Sequence, residues 1–357
     1  MTTSISASPS AEVGKQARRT VKCVVWDLDG TIWNGTLLED ENVDVRQDVV
    51  AAIKELDGRG ILHSIASRND HAHAMQKLRA LGIDEFFLHP QISWNDKSDS
   101  IAAIAAALNI RVDSMAFVDD QRFEQEEVGF SHPTLLLVDA ADAPGLPDRP
   151  EFTTAVVTKD ARLRRSMYVS SMARDAAEAG FVGKNQEFLA TLGMKLTIGP
   201  AAPADLGRAE ELVVRTNQLN STGITYSGEQ LAGFCDAPDH LLLMAELDDR
   251  FGTYGQIGLA LIEFRDPDWT LRLLLMSCRV MSRGVGTVLL NEIQRRARAA
   301  VATLLAEFEA TGRNRVMEIT YRFAGFREVS SRHGRSVLIA PDSPPPPAPD
   351  YLELVLK

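Results

Sequence analysis

The chain has 357 residues, 45% of them hydrophobic and 24% charged, with a formal net charge of −11 at pH 7. That is enough length for two domains, with the composition of a globular protein. The negative balance argues against an electrostatic grip on nucleic acid or on an anionic membrane, and no apolar run reaches the roughly 18 residues a membrane span needs.

In chain order, residues 1–20 lack the apolar core of a signal peptide and read as a disordered leader. The stretch VKCVVWDLDGTIW follows. Val21 to Trp26 is a short apolar, partly β-branched strand. Alternation puts Asp27 and Asp29 on one side of its carboxyl end, where open α/β sheets bind ligands. Gly30 permits the tight turn beyond. RQDVVAAIKELDGRG reads as a helix, and ILHSIASRND as a strand ending at Ser67, followed by Arg68 and Asn69. HAHAMQKLRALGI is again helical. NDKSDSIAAIAAALNI places Lys97 at a helix start, and SMAFVDDQ is a strand ending in Asp119 and Asp120. Strands alternating with helices imply an α/β parallel sheet over residues 21–140. Between Asp29 and Ser67 there is room for a small flap and one helix, not for a cap domain.

These residue types suit phosphoryl chemistry. Asp27 is placed as nucleophile and Asp29 as general acid, then base. Asp27, the Asp29 backbone carbonyl and Asp119 suit an all-oxygen Mg2+ site. Ser67, Arg68 and Lys97 are expected to hold phosphoryl oxygens. The ordered set resembles the haloacid dehalogenase (HAD) superfamily of phosphatases, in a form with minimal cap.

Residues 141–184 read as a linker, DAPGLPDRPEF, and a long basic bridging helix. Residues 185–340 then carry a helix and strand, an amphipathic helix ending in the polar cluster Arg215, Thr216, Asn217, Gln218 and Asn220, and three strand candidates. The third runs into MSCRVMSRGVG, with Cys278 at the joint. Gly284 and Gly286 leave N–H groups free at a helix start, an anion site in waiting. With Asn314, Tyr321 and Gly325-Phe326 this unit resembles the GNAT acyltransferase fold, in which Arg283, Gly284 and Gly286 would bind a pantetheine arm. Met281 stands where such enzymes usually carry Arg or Gln, which argues against coenzyme A itself. Residues 341–357 read as a Pro-rich tail. The three cysteines, Cys23, Cys235 and Cys278, show neither a disulfide framework nor zinc spacing, and a reducing cytoplasm fits them.

Together, VKCVVWDLDGTIWNGTLLEDENV, LDGRGILHSIASRNDH, FLHPQISWNDKS, AFVDDQRFEQEEV, RTNQLNSTGITYS and MSCRV resemble FkbH-like proteins over nearly the whole chain, about Val21 to Phe326. The resemblance implies a bifunctional glyceryltransferase and phosphatase of polyketide assembly. Such an enzyme takes D-1,3-bisphosphoglycerate and forms a thioester on the cysteine matching Cys278. It removes the remaining phosphate and passes D-glyceryl to the phosphopantetheine arm of a discrete acyl carrier protein, towards methoxymalonyl extender units. The rival expectation is a stand-alone HAD phosphatase of a small phosphorylated metabolite, with a non-catalytic carrier-docking domain.

Overall fold

The computed structural model describes residues 20–40, 43–153, 157–216, 218–332 and 334–357. Residues 1–19 of the expected leader, and Asn217 of the polar cluster, lie outside the described residues. The chain divides into two compact units, Met1–Ala155 and Val156–Lys357.

In the first unit, β1 (Cys23–Trp26) is buried at every position. A two-residue antiparallel ladder, β2 (Trp33–Asn34) with β3 (Asp44–Val45), forms the small flap. Then follow α1 (Gln47–Gly58), β4 (Leu62–Ser67), α2 (His71–Ala80), β5 (Gln91–Ile92), α3 (Lys97–Leu108), β6 (Met115–Asp119), α4 (Arg122–Ser131) and β7 (Leu136–Asp139). All the pairings of the five-stranded sheet are parallel, in the order β5-β4-β1-β6-β7. The chain goes from β1 to one side and returns to the other at β6, so the switch point lies beside the carboxyl ends of β1, β4 and β6. One buried polar pair is satisfied within the core, with Trp26 Nε1 donating to His63 Nδ1 at 3.0 Å.

The expected linker is part of this unit. Ala140–Asp148 and Pro150–Phe152 form 3-10 turns, and Ala143, Leu146 and Phe152 are fully buried in the same core. Arg46 donates to Ala140 O at 3.0 Å, fastening the turn to the start of α1. Its Pro-Gly composition belongs to a packed 3-10 turn, not to a free connection.

The second unit opens with α5 (Lys159–Arg162) and α6 (Arg164–Ala179). It continues through α7 (Asn185–Thr191), β8 (Met194–Pro200), α8 (Leu206–Arg215), α9 (Gly228–Asp236), β9 (His240–Asp249), β10 (Gly252–Arg265) and β11 (Asp268–Met276). It closes with α10 (Val285–Ala299), β12 (Thr303–Glu309), α11 (Arg315–Phe323), β13 (Arg327–Arg332), β14 (Arg335–Ile339) and β15 (Leu352–Leu356). The helix expected to bridge is α6, and it is anchored inside this unit. Its Arg174 is buried, pairs with Asp249 at 2.7 Å and stacks on the Tyr254 ring at 3.7 Å.

The eight strands run β13-β14-β12-β11-β10-β9-β8-β15. Only β11 with β12, and β8 with β15, pair parallel. The β11–β12 ladder holds only from Asp268 to Leu271, after which the strands part. Residues 219–221 enter the gap: Met276 N–H donates to Leu219 O and Ser221 N–H to Leu274 O, both at 2.9 Å. Asn314 closes the same corner, donating to the carbonyls of Asn220 at 2.9 Å and Glu309 at 2.8 Å. Tyr321 is fully buried against Phe308 and Phe326.

The expected Pro-rich tail also belongs to the fold. Its last residues form β15, which extends the edge of the sheet beside β8, and Pro346 O accepts from Arg295 on α10 at 2.6 Å. Proline cannot donate to a ladder, so the strand begins only after the proline run ends. Leu352→Ala should therefore destabilise the second unit by about 2–3 kcal/mol, read as a lower urea midpoint at unchanged slope. A midpoint equal to wild type would show that β15 adds nothing to the fold.

Candidate functional site

The first site forms where β1, β4, β6 and the start of α3 meet. Asp27 follows β1, Ser67 ends β4, Asp119 ends β6 and Lys97 opens α3; all four are buried. Lys97 Nζ lies 3.1 Å from Asp27 and 2.6 Å from Asp119. Burial works against the Lys97 charge, but Asp27 and Asp119 outweigh it and hold the ammonium above its ordinary range. For Asp27 burial dominates. It lifts the carboxyl to about 7 against the pull of Lys97, with Asp119 adding repulsion and the Ser67 hydroxyl and Leu28 N–H favouring the ionised form.

Asp29 occupies a different setting. Its Oδ1 accepts from Trp33 Nε1 at 2.7 Å and Leu37 N–H at 3.1 Å, and its Oδ2 accepts from Asn69 Nδ2 at 3.0 Å. The flap residues Trp33 and Leu37, with Asn69 beyond β4, therefore fix the carboxylate expected to move protons. Sequence reading named Asn69 only as a neighbour of Ser67 and did not anticipate this hold.

Single carboxylate oxygens of Asp27, Asp119 and Asp120 lie within 4.8 Å of one another, which adds Asp120 to the side chains at the expected metal position; the contact expected from Asp29 is through its backbone carbonyl. Three hard carboxylate oxygens fit Mg2+. Asp120 also explains Gly30. That residue sits at φ +68°, and a Cβ there would lie 2.3 Å from Asp120 Oδ2. Of the three expected phosphate-holding residues, Ser67 and Lys97 adjoin Asp27. Arg68 instead turns to Glu124 at 3.0 Å, Asp96 at 3.1 Å and Glu127 at 3.6 Å, so its charge is already matched.

The second unit holds Cys278 two residues past β11, at the start of a 3-10 turn (Cys278–Val280) and exposed to solvent. Cys23 is buried inside β1 and its thiol is pushed far up by burial, which fits a packing residue. Just past Cys278 a small open groove is lined by Leu274, Met276, Met281, Gly284, Gly286 and Met317, among others. It opens where β11 and β12 part and reaches the N-terminus of α10. Gly284 and Gly286 are thus where the sequence put them. Arg283 is not among the lining residues: its guanidinium is buried, pairs with Glu178 at 3.1 Å and lies over the Phe188 ring.

No protein-family model matches the chain, and no curated protein matches it. Among solved structures, the N-terminal part of the protein BF1531 from Bacteroides fragilis, containing a phosphatase domain complexed with Mg, is 29% identical. The match covers 35% of this chain and 38% of that one, with a TM-score of 0.31, so it spans less than half of that structure. The ribosomal-protein-S18-alanine N-acetyltransferase from Escherichia coli is 20% identical over 40% of this chain and 90% of its own, with a TM-score of 0.32. A PaiA N-acetyltransferase from Thermoplasma acidophilum, in complex with coenzyme A, is 14% identical over 41% and 98%, with a TM-score of 0.33. The class rests on this chain's own topology. A parallel sheet with paired aspartates beyond β1 and a minimal flap is a HAD-type α/β domain. The mixed sheet parted between β11 and β12 is a GNAT-like α+β domain. Among the described residues no helix is long and apolar enough to cross a membrane.

Mg2+ should raise the melting temperature of the first unit, more at about pH 8 than at about pH 5.5. The folded Asp27 value, about 7, lies above the ordinary 3.8. Asp27 alone therefore lowers stability as pH rises through that window, and a cation that displaces its proton offsets the loss. Asp120→Asn should shrink the effect and Asp29→Asn should not. An equal shift at both pH values would contradict binding at this cluster.

Proposed function

We propose that the chain is a bifunctional glyceryltransferase and phosphatase of the FkbH-like kind. It takes D-1,3-bisphosphoglycerate and loads D-glyceryl onto a discrete acyl carrier protein for methoxymalonyl extender units. One observation carries the reading. A buried Asp27–Lys97–Asp119 phosphoryl site shares its chain with an exposed Cys278 beside an apolar groove. Phosphate removal alone has no use for the second half of that combination.

In this reading the Cys278 sulfur attacks the acyl carbon and the carboxyl phosphate leaves. Asp27 attacks the phosphorus of the remaining phosphate ester. Asp29, fixed by Trp33, Leu37 and Asn69, gives a proton to the departing alkoxide and later takes one from water. Ser67 and Lys97 hold phosphoryl oxygens and offset developing charge. Mg2+, held by Asp27, Asp119 and Asp120, supplies further positive charge to those oxygens when bound. The groove between β11 and α10 takes the pantetheine arm, whose thiol collects the glyceryl group. The minimal flap leaves room for a substrate tethered to a protein.

The test is the intact mass of a holo carrier protein incubated with the enzyme, Mg2+ and D-1,3-bisphosphoglycerate. Wild type should add a glyceryl group. Cys278→Ser should add none, while still hydrolysing a generic phosphomonoester at close to the wild-type rate. Full carrier loading by Cys278→Ser would overturn the thioester route. A wild type that hydrolyses the phosphomonoester but adds no glyceryl group to the carrier would favour the rival phosphatase with a docking domain.

A further inference from the structure

Cys278 lies at the edge of an arginine cluster contained within the second unit. Three guanidiniums converge on the single carboxylate of Glu211: Arg164 on α6, and Arg208 at 2.9 Å and Arg215 at 3.2 Å on α8. Arg208 also pairs with Asp160 at 2.9 Å. The fourth arginine, Arg279, adjoins the cysteine in sequence and meets neutral groups. Its Nε donates to Ser277 Oγ at 3.3 Å and its Nη1 lies 2.9 Å from Met167 Sδ. Among the described residues no carboxylate lies within ion-pairing distance of Arg279. Tyr168 on α6 is within electrostatic reach of Arg279, Cys278, Arg164 and Arg215, which ties the thiol to the cluster.

Arg164 and Arg208 are buried, and burying like charges around one carboxylate is costly. The titration shifts point the same way. Burial, then repulsion from Arg208, lowers Arg279 to about 10. Burial, then Arg164, lowers Arg215 to about 10. Burial pushes Glu211 up, yet its three arginines outweigh that and hold it down at about 2. Such a cluster is short of negative charge. An incoming dianion would supply it, and guanidiniums match phosphate oxygens in pairs.

We propose that Arg279, Arg215, Arg208 and Arg164 form an anion subsite for Cys278 that binds the phosphate of an acyl phosphate, with Arg279 in direct contact. The identity of the acyl donor rests on the transferase reading above; the anion site itself does not. In the step it serves, the sulfur–carbon bond forms and the carbon–oxygen bond to phosphate breaks. The electron pair leaves with phosphate, and the thiol proton ends on it as hydrogen phosphate. The cluster stabilises the charge gathering on that leaving group.

Alkylation of Cys278 in the full-length protein tests this, with iodoacetate as anionic reagent and iodoacetamide as neutral one, each followed by peptide mass spectrometry. The iodoacetate-to-iodoacetamide rate ratio should be about tenfold higher in the folded protein than for the same thiol in the urea-unfolded chain. Inorganic phosphate should suppress the iodoacetate reaction, and potassium chloride at equal ionic strength should not. Arg279→Gln should lose most of the preference and Arg279→Lys should keep part of it. Arg215→Gln offers a second variant if Arg279→Gln melts early. Equal ratios in the folded and unfolded chains, or in wild type and Arg279→Gln, overturn the subsite even if carrier loading proceeds. A strong anion preference on a thiol that never carries an acyl group supports the subsite and overturns the transferase reading instead.

Discussion

The first site depends on one buried ammonium. Asp27 and Asp119 sit side by side at the ends of β1 and β6, both nearly inaccessible to water. Two such carboxylates cannot both stay ionised without a counter-charge. The parallel sheet brings their strands together, and the first residue of α3 delivers Lys97 between them. Lys97 satisfies two acids with one charge, and burial, with repulsion from Asp119, still lifts Asp27 to about 7 against its pull. With Asp120 nearby, three carboxylates face one ammonium, and that residual deficit of positive charge supports the proposed Mg2+ site. Asp29 escapes this competition because its oxygens are bound by Trp33, Leu37 and Asn69. Asp27 and Asp29, with one residue between them, thus acquire separate settings, as the proposed nucleophile and acid–base group would require.

The second unit shows the opposite imbalance. Its sheet parts between β11 and β12, opening an apolar groove, and β11 delivers Cys278 to the surface just past its end. Behind the cysteine, α6 and α8 gather guanidiniums that outnumber the carboxylates in their ion pairs. Each unit therefore carries charge that a phosphorylated ligand and its counter-ion would complete.

Much of this was legible in the sequence because the first site is built from strand ends and a helix start. The apolar run of β1 marks where the strand ends and Asp27 follows, and turn chemistry at Gly30 follows from the residues themselves. The glycine pair at the start of α10, Gly284 as N-cap and Gly286 in the first turn, was legible for the same reason. What escaped depends on contacts between distant segments. Asp120 adds a third carboxylate beside Asp27 and Asp119 through its position just beyond β6. Arg68 looked like a phosphate ligand until Glu124 and Glu127 of α4 came against it. The arginine cluster draws on α6, α8 and the 3-10 turn that follows β11, with no local spacing to mark it. The run of prolines before β15, and the Pro-Gly segment after β7, mimic linkers. Their packed partners, α10 and the start of α1, lie far away in sequence.

The central claim is that one chain acylates Cys278 and dephosphorylates the acyl group at Asp27. The most direct measurement is the mass of the Cys278 peptide after incubating Asp27→Asn with D-1,3-bisphosphoglycerate and Mg2+, without carrier protein. The account predicts a phosphoglyceryl adduct on Cys278 in this variant, and a glyceryl adduct in wild type. An unmodified Cys278 in both, or a glyceryl adduct on Asp27→Asn, would contradict it.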